Sequence, residues 1–227
     1  MLLAFIGSVI FFGATPPPLK EWPSDTVLAR YAAALADYEA PAVLSFDYTL
    51  EQSGAREGEQ SHRVFRSATN ERDETLAVDG RKLDPPTVRI FRGRANRYTV
   101  ELLAPRPAQY GFRYLGTHRD GHHLDYVFDA TIRGEAAYRV TRVTIDGVTF
   151  LPQTIVFSAG TGGTGTVTFG RSERWWIPLE VTAHARIGGL AAVERLTFSA
   201  YRFPATLPPS TFAMPRPLPA TTPAAPP

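Results

Sequence analysis

The side chains best equipped for chemistry gather in one short stretch, where His118, His122 and His123 stand near Asp120 and Asp125. Imidazole and carboxylate are donors that divalent metals take, so the group is weighed as a metal site. Adjacent residues of a strand point to opposite faces, and on that rule only His122 would join a ligand such as His118 or Asp120. No motif spacing supports a site, and the stretch is read as polar residues at a turn, with no metal ligand assigned. The glycine-rich loop running from Ala159 to Thr166 is a second candidate. It lacks the Lys-Ser/Thr end of a phosphate loop and runs between strands rather than into a helix, so its N–H groups would not converge on an anion. A hairpin connection fits it better. No serine sits in a Gly-x-Ser-x-Gly elbow, the histidines have no acid and nucleophile partners at a recognisable spacing, and cysteine is absent. The expectation is a protein that is not an enzyme and needs no cofactor.

What remains is apolar surface, and the elements decide how it is used. Val27, Leu28, Tyr31, Leu35 and Tyr38 recur at helical spacing after Ser24 or Asp25, either of which can cap, and Pro41 stops the run. This predicts one amphipathic helix, whose Val27, Leu28, Tyr31 and Leu35 are expected to close one mouth of a sheet as a lid. From Leu44 the period changes to two, with Leu44, Phe46, Tyr48 and Leu50 alternating with polar residues. The alternation returns at Leu76/Val78, Val88/Ile90, Tyr98/Val100/Leu102 and Leu124/Tyr126/Phe128. It continues over 140–145, 154–157, 166–169, 177–185 and 193–203. Asp79-Gly80, Asp120-Gly121, Asp146-Gly147 and Gly188-Gly189 supply the positive φ of tight hairpins. With no second long helical pattern, the fold is a mainly β antiparallel meander of about ten strands, which must curl. Inward positions then hold Phe46, Tyr48, Tyr98, Val100, Phe128 and Phe198 beside small Ala183 and Ala200, a mixture expected to leave an apolar cavity.

The ends and the charge set the surroundings. Residues 2–12 form an apolar run too short to span a bilayer, followed by Thr15-Pro16-Pro17-Pro18, which reads as a signal peptide and leader over 1–18. One domain over 19–203 follows. From Pro204 to Pro227 proline, alanine and threonine dominate, the composition of a flexible tail in which only Phe212 and Met214 are fit to dock back. The formal net charge is +2, and the densest basic cluster, Arg89, Arg92, Arg94 and Arg97, straddles a turn at 93–96. No field of that kind argues for nucleic acid.

Several segments resemble the LolA-like and LolB-like periplasmic lipoprotein carriers and their lipoprotein-sorting and RseB-like relatives. Val43 to Gln52 is similar to that family's first strand, and Val78-Asp79-Gly80-Arg81-Lys82-Leu83 to its Asp-Gly-Lys turn. Tyr114-Leu115-Gly116, Asp120-Gly121, Val143 to Asp146 and Phe150-Leu151-Pro152 resemble its later phrasing, as do Ile177 to Val181, Phe198 to Phe203 and Phe212. The resemblance runs from Asp25 to Met214. It implies an incomplete β-barrel, a curved antiparallel sheet wrapped around an N-terminal lid helix, with an apolar interior that takes acyl chains. The expected function is therefore a soluble, monomeric periplasmic carrier whose partners are a lipid or acylated protein and an envelope protein. The alternative is an extracytoplasmic sensor or interaction domain of the RseB kind.

Overall fold

The computed structural model describes residues 21–92, 98–120, 123–135, 138–159 and 163–214. The expected leader, the basic residues Arg94 and Arg97, His122 and the end of the tail lie outside them. The fold is mostly β: eleven strands form one antiparallel sheet in the order β4-β3-β2-β1-β11-β10-β9-β8-β7-β6-β5. The strands are β1 (Leu44–Gly54), β2 (Gly58–Arg66), β3 (Asn70–Val78), β4 (Arg81–Arg92), β5 (Tyr110–Asp120), β6 (His123–Ile132), β7 (Tyr138–Asp146), β8 (Pro152–Ala159), β9 (Thr164–Ser172), β10 (Trp175–Ile187) and β11 (Leu190–Arg202). Two runs of hairpins meet where β1 pairs with β11, and the edges β4 and β5 are not joined by hydrogen bonds.

Helix α1 (Ser24–Ala36) starts without a side-chain cap. Pro23 occupies the cap position, so Ser24 and Asp25 belong to the first turn rather than preceding it. The buried stripe Val27, Tyr31 and Leu35 lies against the inner face of the sheet. Tyr31 meets Phe112 edge-on at 6.2 Å, the backbone N–H of Trp22 donates to the Tyr126 hydroxyl, and the Tyr38 hydroxyl donates to the Trp176 carbonyl. These contacts fill the half of the sheet built from β5 to β10, where Tyr126, Phe128, Val143, Ile145, Ile155, Val167 and Val181 are closed to solvent. Each such side chain contributes roughly 1.5–3 kcal/mol by leaving water.

Two local readings are corrected. Tyr98, Val100 and Leu102 do not form a strand; Val100–Leu103 is a short helix, α2, on the connection between the edge strands, with Val100 and Leu103 buried. Asp146-Gly147 is not a positive-φ hairpin. Asp146 Oδ1 accepts from the N–H groups of Val148 and Thr149 and from the Thr149 hydroxyl, and the left-handed residue is Phe150 at φ 56°. Glycine is needed at 147 for space, since a Cβ there would sit 2.1 Å from the Leu124 carbonyl oxygen. Strands β2 and β5 were not anticipated at all. By contrast Asp79-Gly80 and Gly188-Gly189 turn with positive φ as expected. Past β11 the chain makes a 3-10 turn (Pro209–Phe212), held where the Arg72 guanidinium donates to the carbonyls of Thr211 and Ala213. Phe212 is half-buried there, whereas Met214 is exposed.

Candidate functional site

The half of the inner face built from β1 to β4 and β11 is not covered by α1, and it holds an open cavity of about 370 Å³. Its walls come from β1 (Phe46, Tyr48), β2 (Val64), β3 (Glu71, Asp73), β4 (Phe91), β7 (Tyr138), β11 (Leu196, Phe198) and the connection (Tyr98). The period of two puts Phe46 and Tyr48 on one face of β1, and pairing sets Phe198 directly opposite Tyr48. The three rings form the floor: Phe46 lies 5.7 Å from Phe198, and Tyr48 6.0 Å from it, while Tyr201 stacks behind Phe46 at 5.2 Å.

One wall is polar, and its groups bond mainly to one another. The Tyr48 hydroxyl donates to Asp73 Oδ2 at 3.0 Å, and His62 stacks on the Tyr48 ring at 4.4 Å with Nδ1 2.9 Å from Asp73 Oδ1. Burial, with the Asp73 carboxylate beside it, pushes the Tyr48 phenol well above its ordinary range, so the group stays a neutral donor. Deeper in, Arg66 Nε donates to Glu71 Oε2 at 2.7 Å, with both side chains 5% exposed. Arg66 and Glu71 neutralise each other's charge, while one guanidinium nitrogen of Arg66 is buried without a hydrogen-bond partner. A larger hollow of about 530 Å³ beside α2 is walled by Glu101, Arg106, Arg133 and Glu135, and its polar rim suits water better than an apolar chain.

Of the residues expected to line a cavity, Phe46, Tyr48, Tyr98 and Phe198 are brought together in this groove. Val100 instead faces a small hollow of about 30 Å³ beside Tyr38 and Trp176, and Phe128 is packed in the filled half against Phe112 and Tyr114. Ala200 is exposed, at a positive φ in β11. The expected lid residues Val27, Leu28, Tyr31 and Leu35 take no part in the groove wall and pack in the core. Val64, Phe91 and Leu196 were missed, although Phe91 closes a strand already read from Val88 and Ile90.

The histidine stretch also differs from its reading. Asp120 pairs with His123 and His118 with Asp125, so His123 shares a face with His118 and Asp125. His123, Asp125 and Asp146 converge on the outer face of the sheet, a grouping that needs the β6–β7 pairing and so has no local spacing. Burial pushes the Asp125 carboxyl up, His123 pulls it back, and Asp146 adds to the rise.

No family model matches the sequence, and no curated protein matches it. Similar solved structures do exist. A LolA superfamily protein from Nitrosomonas europaea is 12% identical at a TM-score of 0.45, covering 86% of this chain and 99% of its own. An outer membrane lipoprotein-sorting protein domain from Vibrio parahaemolyticus is 13% identical at 0.48, covering 84% and 97%. MucB is 16% identical at 0.34, covering 86% and 65%. Its structural neighbours are thus LolA-superfamily and MucB-like proteins.

Proposed function

We propose that this protein is a periplasmic carrier that holds an apolar chain, the acyl group of a lipid or of an acylated protein, in the groove between β1–β4 and β11, and that it catalyses no reaction. One observation carries this reading: a cavity opens above Phe46, Tyr48 and Phe198, of which Phe46 and Phe198 are themselves nearly buried, while the other half of the same inner face is filled by α1. The cavity's volume falls in the range of pockets that enclose small ligands. Each methylene entering it would contribute roughly 0.8 kcal/mol. A second reading, an interaction domain, has its own support in the edges β4 and β5, whose unpaired backbone groups can accept a strand from another chain.

Native mass spectrometry of protein purified from its own envelope tests the carrier. The reading expects a bound lipid mass that disappears in Leu196→Trp, where an indole occupies the groove. The bare chain mass from the wild type would count against it.

A further inference from the structure

The cluster on the outer face belongs to neither the groove nor its walls. Register builds it: His118 stands opposite Asp125, Asp125 stands opposite Asp146, and His123 lies two residues before Asp125 on the same face of β6. His123 Nε2 is 2.7 Å from Asp146 Oδ2 and 3.6 Å from Asp125 Oδ1, and the ligand atoms of all three residues fall within 4.8 Å of one another.

The two carboxylates are held differently. Asp146 uses Oδ1 to accept three hydrogen bonds from its own turn, which fixes the group and leaves Oδ2 facing the imidazole. Asp125 is 4% exposed, and its Oδ1 accepts no hydrogen bond. A carboxylate oxygen shut away from water without a donor is a costly group to keep, and a cation at this point would supply what it lacks.

We propose that His123 Nε2, Asp125 Oδ1 and Asp146 Oδ2 form a binding site for a divalent cation of the zinc class, with the fourth position open to solvent beside His118. One imidazole and two carboxylates are a donor set that zinc takes, and three protein ligands with one exchangeable position is a common arrangement for it. Bonds of about 2.0–2.2 Å in a tetrahedron place ligand atoms about 3.3–3.5 Å apart. The separation of His123 from Asp125 already lies close to that, and its separation from Asp146 must open by less than an ångström. A ring that is 44% exposed has room to make that move. Cross-strand pairing sets His118 opposite Asp125, but its ring lies outside the converging group and would have to turn to replace water. Occupied, the site would pin β6 to β7.

The test is calorimetric titration of the chelator-stripped full chain with zinc chloride, alongside imidazole ¹H–¹⁵N spectra. One Zn²⁺ per chain is expected, weakened at least tenfold by His123→Ala and by Asp125→Asn and unchanged by His184→Ala, an exposed histidine on β10. In the wild type, the His123 ring nitrogen signals should move on saturation. Far-UV circular dichroism and the melting temperature establish that each variant is folded. If Asp125→Asn does not fold, the half-exposed His123 variant and the wild-type spectra still decide. Absence of saturable binding, binding that survives His123→Ala, or His123 signals unmoved by zinc would each overturn the site and leave the cluster as a histidine–carboxylate ion pair.

Discussion

Arg66 and Glu71 make the sharpest case at the scale of single residues, because both are polar and both face inward. Removing one partner leaves the other charge buried, so Glu71→Ala should cost about 3–5 kcal/mol in urea unfolding, and Arg66→Met/Glu71→Leu should recover much of it. An equal loss in the double variant would show that the pair acts by packing alone. The same polarity made β2 illegible. His62, Val64 and Arg66 alternate inward in perfect strand fashion, but a hydrophobic pattern cannot register two of the three. On β3 a bulge between Thr75 and Ala77 resets the phase: Leu76 and Val78 drew attention to the strand, while Glu71 and Thr75, before the bulge, are its buried members. Glycines divide in a similar way. Gly80 and Gly188 were readable as turn residues from their dipeptides, whereas the role of Gly147 is contact with Leu124 on a neighbouring strand, which the sequence does not display. Gly147→Ala should therefore destabilise by about 1–3 kcal/mol through overpacking. An unchanged urea midpoint would contradict the close approach.

Among the elements, α1 was visible from its spacing, and its Val27, Tyr31 and Leu35 do form one buried stripe. What spacing could not say is which part of the sheet the stripe meets, since one amphipathic face suits a lid and a core helix equally. The burial of Val27, Tyr31 and Leu35, the contact of Tyr31 with Phe112, and the bonds of the flanking Trp22 and Tyr38 to Tyr126 and Trp176 pack it as core. Leu35→Ala should accordingly lower global stability by about 2–5 kcal/mol with the unfolding still a single transition. A lid would instead detach at little cost to the sheet, and near-wild-type stability would restore it. The segment 98–103 failed for a related reason. Tyr98, Val100 and Leu102 satisfy a period of two, while Val100 and Leu103 satisfy a helical turn, and a segment this short gives no length by which to choose. Tyr98 reaches the groove all the same, from the connection rather than from a strand.

For the molecule as a whole, the meander was legible because Gly, Pro, Asn and Asp punctuate nearly every strand, and antiparallel neighbours follow from short turns. The pairing of β1 with β11 was not, as no local signal links residues so far apart in sequence. That pairing makes one curved sheet with two halves, and the asymmetry of their filling is the basis of the proposed carrier. The groove lies on the half that β1 to β4 and β11 build, where one helix cannot reach. The most direct test of this account is calorimetric titration with saturated fatty acids of increasing length. If an acyl chain lies along Phe46, Tyr48 and Phe198, affinity should rise about fourfold with each added methylene, following roughly 0.8 kcal/mol per group, and then level off once the groove is full. Leu196→Trp should bring the plateau at a shorter chain. An affinity that does not change with length, or heats that stay flat for every chain up to its solubility limit, would contradict the account.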